Sequence, residues 1–247
     1  MTSEPKENFA RGARRNPRLA ERVAELIEKD IVASGWRIGS VLGSEGELIE
    51  RYGVSRAVFR EAVRLVEHQQ LATMRRGPSG GLVVTEPDPG VVRNAARVHL
   101  RRAAVTRHQL LEARMALELA GIASATENLT ESGIEKLKEA LDLEQEQIDR
   151  GVTRGYARDL HRVIAELAGN PAIALFVEVL AQLDQDIVQQ EWDAADVDDE
   201  GHLDDAIASH EAHEAIVAAI VAGDAPLGQH RMRRHLQAIA ALLPDES

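Results

Sequence analysis

The sequence predicts a mostly α-helical protein in two parts: a short N-terminal unit of three helices closed by a β-hairpin, then a longer antiparallel bundle made of helices alone. Three observations carry this. The 247 residues are 44% apolar but only 3% aromatic, and abundant Ala, Leu, Val, Ile and Glu with few aromatics favour helix. Apolar residues recur at helical spacing along most of the chain. The stretch that departs from this, Leu71–Thr85, has two short apolar runs flanking the glycine-rich centre RGPSGG, which reads as a hairpin.

Taken in order, residues 1–18 are polar and basic (Arg11, Arg14, Arg15) and read as a disordered arm. From Leu19 to Ala33, Val23, Leu26, Ile27 and Ile31 mark a first helix, which Gly35 ends. Ser44 with Glu47 three residues on is a capping-box pattern for the second helix. Gly53 supplies a turn, and Ser55 caps a third helix to about His68, with Phe59, Val63 and Val66 as its buried stripe. Strands follow at Leu71–Arg75 and Leu82–Thr85, joined by glycines that permit a tight tip. Glu86-Pro87-Asp88-Pro89-Gly90 is a boundary, because two prolines stop strand and helix alike. Helices are expected at about 90–104, 107–127, 130–150, 154–168, 171–191, 203–222 and 226–243, with the acidic stretch Asp193–Asp205 as a loop. The expected organisation is an arm (1–18), the hairpin-closed unit (19–86), a linker with connecting helix (87–106) and the bundle (107–243).

Charge separates the same two parts. Residues 1–86 carry 14 Lys+Arg against 12 Asp+Glu, whereas residues 87–247 carry 15 against 29. The acidic part cannot wrap nucleic acid and the N-terminal part can, because local charge governs phosphate contact. There are no cysteines, which excludes disulfides, thiolate metal sites and cysteine nucleophiles and suits a reducing cytoplasm. No apolar run approaches the roughly 18 residues that would span a bilayer, and the charged N-terminus lacks a secretory core. A cytoplasmic protein without membrane partners is expected.

Helix, glycine turn, second helix and glycine-rich hairpin in that order spell a winged helix-turn-helix, which places a helix in the major groove of DNA. Arg56 and Arg60 lie one helical turn apart on one face, where two guanidinium groups can reach base edges or phosphates. Ser55 stands at the helix N-terminus, where its hydroxyl and the free backbone N–H groups suit a phosphate oxygen. Arg75 and Arg76 flank the hairpin. The plainer alternative is a solvated basic face with Glu61 nearby.

Over residues 19–85 the chain resembles the GntR family of bacterial transcription regulators. The resemblance rests on Ile38-Gly39, Leu42, Ser44-Glu45, Glu47-Leu48, Gly53-Val54-Ser55-Arg56, Arg60-Glu61-Ala62 and the hairpin from Arg76-Gly77 to Gly81-Leu82-Val83-Val84. It implies DNA contact through Ser44, Ser55, Arg56, Arg60, Arg75, Arg76, Gly77 and Gly80, with the hairpin as a wing in the minor groove. Members commonly carry arginine between the two glutamates of the second helix; this chain has Gly46, so that contact is missing.

In the second part, His213 and His235 each lie 11 residues from Asp224 in the turn Gly223–Pro226. In an antiparallel helix pair they stand level, each about 16 Å from the turn at a rise of ~1.5 Å per residue. His213 shares a face with Ile216, Val217 and Ile220, and His235 one with Met232, Ile239 and Leu242. His161 shares one with Ile164 and Ala168 on an earlier helix. Three inward imidazoles are either hydrogen-bonded core residues or a divalent-metal site. Arg114 lies among Leu, Met and Ala; it pairs with Glu118 at i+4 or serves as a fork for a ligand carboxylate. His210 is inward one turn before His213 and can line the same cavity. His99, His108, His202 and His230 read as surface residues, and Trp36 and Trp192 as packing groups.

Residues 107–243 resemble the FCD ligand-binding domain of the FadR branch of the same family. The carrying residues are Leu111-Glu112, Arg114, Glu118, His161, Gly169-Asn170-Pro171, His213, Ile216, Ala219-Ile220, Gly223-Asp224 and Arg234-His235-Leu236. The resemblance implies an antiparallel bundle in which one Asp and three His hold a metal, zinc or nickel, above a cavity for a small carboxylate effector. His161, His213 and His235 match the three His positions. The Asp position, four residues before the first His, holds Ala157, and Asp159 is turned away from His161 by roughly 200° on a regular helix. Three-histidine binding completed by water or effector is therefore expected, with Arg114, His210 and Asn170 towards the effector. The expected partners are palindromic double-stranded operator DNA, a second copy of the chain and a small carboxylate. A metal-dependent hydrolase or lyase on the three histidines is the enzymatic alternative, but no HExxH motif, nucleophile elbow or phosphate loop is present; an architectural DNA-binding protein without effector is another.

Overall fold

The computed structural model describes residues 17–77, 80–151, 158–195 and 202–241. It divides into two compact units, residues 1–91 and 92–247. The expected arm and the position of Ala157 lie outside the described residues, as do the side chains of Asp159, Trp192 and His202.

The first unit contains α1 (Pro17–Ala33), α2 (Glu45–Tyr52), α3 (Arg56–His68), β1 (Ala72–Arg75) and β2 (Gly81–Val84). The first helix starts at Pro17, inside the expected arm, since proline is pre-shaped for an opening turn. It buries Ala20, Val23, Ala24, Ile27 and Ile31, a stripe at helical spacing laid against α3. The α2 capping box forms as its sequence dictates: the Ser44 hydroxyl accepts from the Glu47 amide, and the Glu47 carboxylate accepts from the Ser44 amide at 2.7 Å. Gly53 then turns the chain at φ 64°, a left-handed conformation that costs other residues. Ser55 caps α3, whose Val58, Phe59, Ala62, Val63 and Val66 are buried. Phe59, Ile27, Ile31, Leu48 and Leu82 are wholly enclosed.

The strands pair antiparallel with Ala72 opposite Val84 and Arg75 opposite Gly81. A third segment, not expected from the sequence, runs along β2: Leu42 N–H donates to Leu82 O and Val84 N–H to Ser40 O, each at 2.9 Å, with a bridge between Val41 and Val83. It is too short and too glycine-bounded (Gly39, Gly43) to show strand periodicity.

The second unit holds most of α4 (Pro89–Arg102), then α5 (Arg107–Glu127), α6 (Glu131–Asp149), α7 (Arg158–Leu167), α8 (Pro171–Ala195), α9 (His202–Val221) and α10 (Ala225–Ala241). The acidic loop expected from Asp193 is shorter than its composition implies. Helix α8 continues to Ala195 and α9 begins at His202, with Asp204 and Asp205 in its first turn, where acids complement the helix dipole. Helix α5 packs against α7, α8 and α10, α6 against α7 and α9, and α9 against α10. Ile122, Leu137, Leu160, Ile164, Ile216, Ile220, Met232 and Leu236 form the main core. A smaller cluster seats Ala96 and Leu100 of α4 on Leu110, Val179 and Leu183. Among the described residues no helix is long and apolar enough to cross a membrane.

Candidate nucleic-acid interface and histidine centre

Helix α3 turns one side into the core and the other out. Arg56 and Arg60 stand on the outer side, with 72% and 68% of their side-chain surface exposed. Their partner is Glu45 of α2, with Arg60 Nε at 3.1 Å and Arg56 Nε at 3.8 Å from its Oε1. Glu61, the neighbour suggested by the sequence, instead meets Arg64 at 3.2 Å. An exposed pair of this kind contributes about 0–1 kcal/mol, so a phosphate or guanine can displace Glu45 cheaply. Ser44 and Ser55 both use oxygen lone pairs for capping, and a capping hydroxyl keeps its own proton to donate to a phosphate. Arg75 and Arg76 are exposed at the hairpin. Gly80 lies so close under the turn that a Cβ there would collide with the Arg75 carbonyl oxygen. Any side chain at that position would push the tip open.

In the second unit, His161 (α7), His213 (α9) and His235 (α10) converge from three helices. All are buried, and one ligand nitrogen from each lies within 4.8 Å of the others. Two of the three rings are oriented by an acid. His161 Nδ1 donates to Glu118 of α5, and His213 Nδ1 donates to Glu144 of α6 at 2.9 Å. With the ring protons held at Nδ1, Nε2 of both rings carries a lone pair. His161 Nε2 is buried without a hydrogen-bond partner, and His213 Nε2 faces His235 Nε2 at 3.0 Å. Histidine held by carboxylate on one nitrogen and bare on the other is the arrangement of metal-ligating imidazole. Two nitrogens at about 2.0–2.1 Å from a tetrahedral zinc lie roughly 3.4 Å apart, near the 3.0 Å between His213 and His235, with the His161 nitrogen within 4.8 Å of both. The residues therefore fit a divalent cation.

The charges agree. Burial alone would raise the Glu118 carboxyl, but the Arg114 guanidinium and His161 overcome it and hold the group down to about 2. Burial keeps His161 neutral, lowering its pKa, and lowers His235 further with help from the neighbouring histidines. Neutral imidazoles are what a cation requires. A stability consequence follows for the metal-free protein. Unfolded histidines take up protons near pH 6.5 while His161 and His235 resist, so the unfolded state binds more protons below that pH and stability falls as pH drops from 7 towards 5. The ionised Glu118 contributes fully above its ordinary value of 4.5, and that contribution is lost progressively as pH falls from 4.5 through about 2. Urea titrations between pH 5 and 8 check this; a flat midpoint across that window would contradict it.

Two acids central to this geometry were not anticipated from the sequence. Glu144 lies on the stripe Leu137, Ala140, Glu144, Ile148, and also receives His210 Nδ1 at 3.2 Å. Asp184, 3% exposed, takes Arg107 Nε at 2.8 Å and Arg114 Nη1 at 3.4 Å. A lone acid on an otherwise apolar helical stripe was the available signal. Arg114 is not an open fork: its Nε meets Glu118 at 2.5 Å and its other side Asp184. Asn170 is exposed and caps α8, accepting from the Ala172 amide at 3.0 Å. His99, His108 and His230 are exposed as expected, and Trp36 packs on the first core while its Nε1–H donates to Thr85 O. Beside the centre, a cavity of about 410 Å³ between α9 and α10 is lined by Ser209, Ala212, Arg231, Arg234, His235 and Ile239, among others.

Comparison with known families decides the class. The bacterial regulatory proteins of the gntR family match residues 19–82, and the FCD domain matches residues 109–238. The chain is a GntR-family regulator with an FCD domain. An Uxu operon regulator of Haemophilus influenzae is 29% identical over 240 residues, spanning 92% of this chain and 82% of that protein. The transcriptional repressor NanR of an Enterobacter species is 26% identical, spanning 95% and 90%. A solved GntR structure from Streptococcus agalactiae superposes with a TM-score of 0.68 at 20% identity, covering 89% of this chain and 98% of that one; it shares the fold. The families and relatives are transcription regulators, so this GntR protein regulates transcription and is not an enzyme.

Proposed function

We propose that this GntR regulator binds a palindromic operator as a cytoplasmic homodimer, and that a small carboxylate effector beside a divalent metal sets its affinity. Residues 19–86 would read DNA, 87–106 connect, and 107–243 sense and dimerise. Ser44, Ser55, Arg56 and Arg60 would meet the major groove and its phosphates, with Arg75, Arg76, Gly77 and Gly80 forming the wing. The metal, zinc or nickel, would be held by His161, His213 and His235, and would supply a positive centre that prefers an anionic ligand. Glu118 and Glu144 fix the tautomers of His161 and His213.

The observation that carries the sensing half is the bare, buried Nε2 of His161 opposite the close His213–His235 pair. The adjoining cavity supports an effector over a purely architectural role, because about 410 Å³ lies in the range of small-molecule sites. Its Arg234 is better placed for a carboxylate than Arg114, whose charge Glu118 and Asp184 already answer; Arg231 also lines the cavity but donates to Ala215 O, and Asp205 lies on the same wall. The test is selection of a duplex from a random library, then titration of the metal-loaded complex with small mono- and dicarboxylic acids. One of them should shift operator affinity by at least fivefold, a coupling of about 1 kcal/mol. No shift with any acid that binds the protein would defeat the sensing role.

The position Gly46 offers a gain-of-function check. It is exposed on α2 with open space where a Cβ would stand. Gly46→Arg should leave stability within about 1 kcal/mol of the original, since the gain over glycine is opposed by a cation in the helix's first turn, while it tightens operator binding several-fold and steepens the salt dependence by about one unit per head. Parallel melts and binding titrations at several salt concentrations measure both.

A further inference from the structure

Helix α4 presents a row of arginines that the protein leaves without acids. From Pro89 to Leu111 the chain contains Arg93, Arg97, Arg101, Arg102 and Arg107 and no Asp or Glu, although acids make up 41 of its 247 residues. Ala96 and Leu100 seat the helix on the bundle, and Arg97, Arg101 and Arg102 point away from that contact, exposed around Val98. Several other surface arginines are paired, Arg51 with Asp30, Arg64 with Glu61 and Arg150 with Glu146, whereas the exposed Arg75 and Arg76 of the hairpin have no ion pair among the described residues. Among the described residues Arg97, Arg101 and Arg102 have no such partner. Three solvent-exposed cations on one helix without acidic neighbours make a local positive field that favours an anion, most strongly at low salt.

The chain also says where this helix starts. The segment before it is fastened to the DNA-reading unit: Thr85 N–H donates to Leu71 O at 3.0 Å, the Thr85 hydroxyl to Gln70 O at 2.5 Å, and Asp88 N–H to Gln70 Oε1 at 3.2 Å. Arg97 follows Pro89 by eight residues, about 12 Å of helix. The row is joined to the reading unit by this short stretch of chain.

We infer that Arg97, Arg101 and Arg102 of α4 form a second, sequence-independent DNA contact that grips the phosphate backbone flanking the operator. The inference rests on operator binding by α3 and the wing and extends the footprint beyond them. Guanidinium groups on a helix face neutralise phosphates without reading bases, so the contact adds affinity and salt dependence.

The probe is a duplex selected by the wild-type chain from a random library, made as the selected core alone and with ten arbitrary base pairs added at each end. The wild type should bind the longer duplex at least tenfold more tightly at low salt. The triple variant Arg97→Gln/Arg101→Gln/Arg102→Gln, all surface positions on a helix that tolerates Gln, should lose that gain while binding the core within about threefold. Removing one phosphate neighbour flattens the slope of log affinity against log salt by about 0.9. Equal gain and equal slope in the triple variant, with Arg60→Ala still weakening core binding by about tenfold or more, overturns this inference alone. If no sequence is selected, operator reading itself fails and the inference falls with it. If the triple variant is monomeric in sedimentation while the wild type is dimeric, the row belongs to a second copy and the inference is likewise overturned.

Discussion

Replacing Arg60 by alanine should lower affinity for the selected operator by on the order of 10- to 100-fold per reading head, with the fold unchanged. The magnitude is that of one guanidinium withdrawn from a base edge, about 1–3 kcal/mol. The fold should survive because the side chain is exposed and its ion-pair partner is Glu45, itself partly exposed. Removing Arg60 even frees Glu45 to sit nearer Arg56, which already lies 3.8 Å away. Fluorescence anisotropy with a labelled duplex measures the loss, and a thermal melt beside it checks the fold. Sequence-specific binding that stays within twofold of wild type would remove Arg60 from the reading surface. A loss equal on operator and random DNA would make it a phosphate contact instead.

Purified without chelator, the protein should carry close to one equivalent of divalent metal, and the His213→Ala/His235→Ala variant should carry none. Mass spectrometry of the protein and its metal content reads this directly. The double variant also leaves Glu144 with one fewer partner, so its own stability is a poor control. Chelation of the wild type serves better. At free metal near 100 times its dissociation constant the bound state gains about 2.7 kcal/mol, and chelator should lower the melting temperature by several degrees. Protein that takes up no metal even after dialysis against it, and melts identically with chelator, would make the three histidines a hydrogen-bonded core cluster. Sensing would then rest on Arg234 alone.

Much of this is legible in the sequence because local rules coincide with tertiary ones. The capping serines Ser44 and Ser55, the turn at Gly53 and the stripe through Phe59 fix the reading unit, since each is satisfied by residues within a few positions. Counting 11 residues either way from Asp224 places His213 and His235 level, and their Nε2 atoms face each other at 3.0 Å. What stays hidden depends on partners far apart in the chain. Glu144 meets His213 across 69 positions and Arg114 meets Asp184 across 70, and no spacing rule reaches that far. The segment Ser40–Gly43 pairs only because β2 offers it an edge. Asn170 accepts from the Ala172 amide at the start of α8.

Glu144 has a further consequence, for how such a sensor can change over generations. One carboxylate, 1% exposed, holds two histidines of the same helix. A lineage that no longer needed the metal could not simply let His213 drift to an apolar residue, because a buried acid would be left under-partnered, a loss of several kcal/mol. The acid would have to go first or together with the histidine. Selection for a folded chain thus protects the ligand set after selection for sensing has lapsed, and histidines kept by stability alone remain available should a metal become useful again.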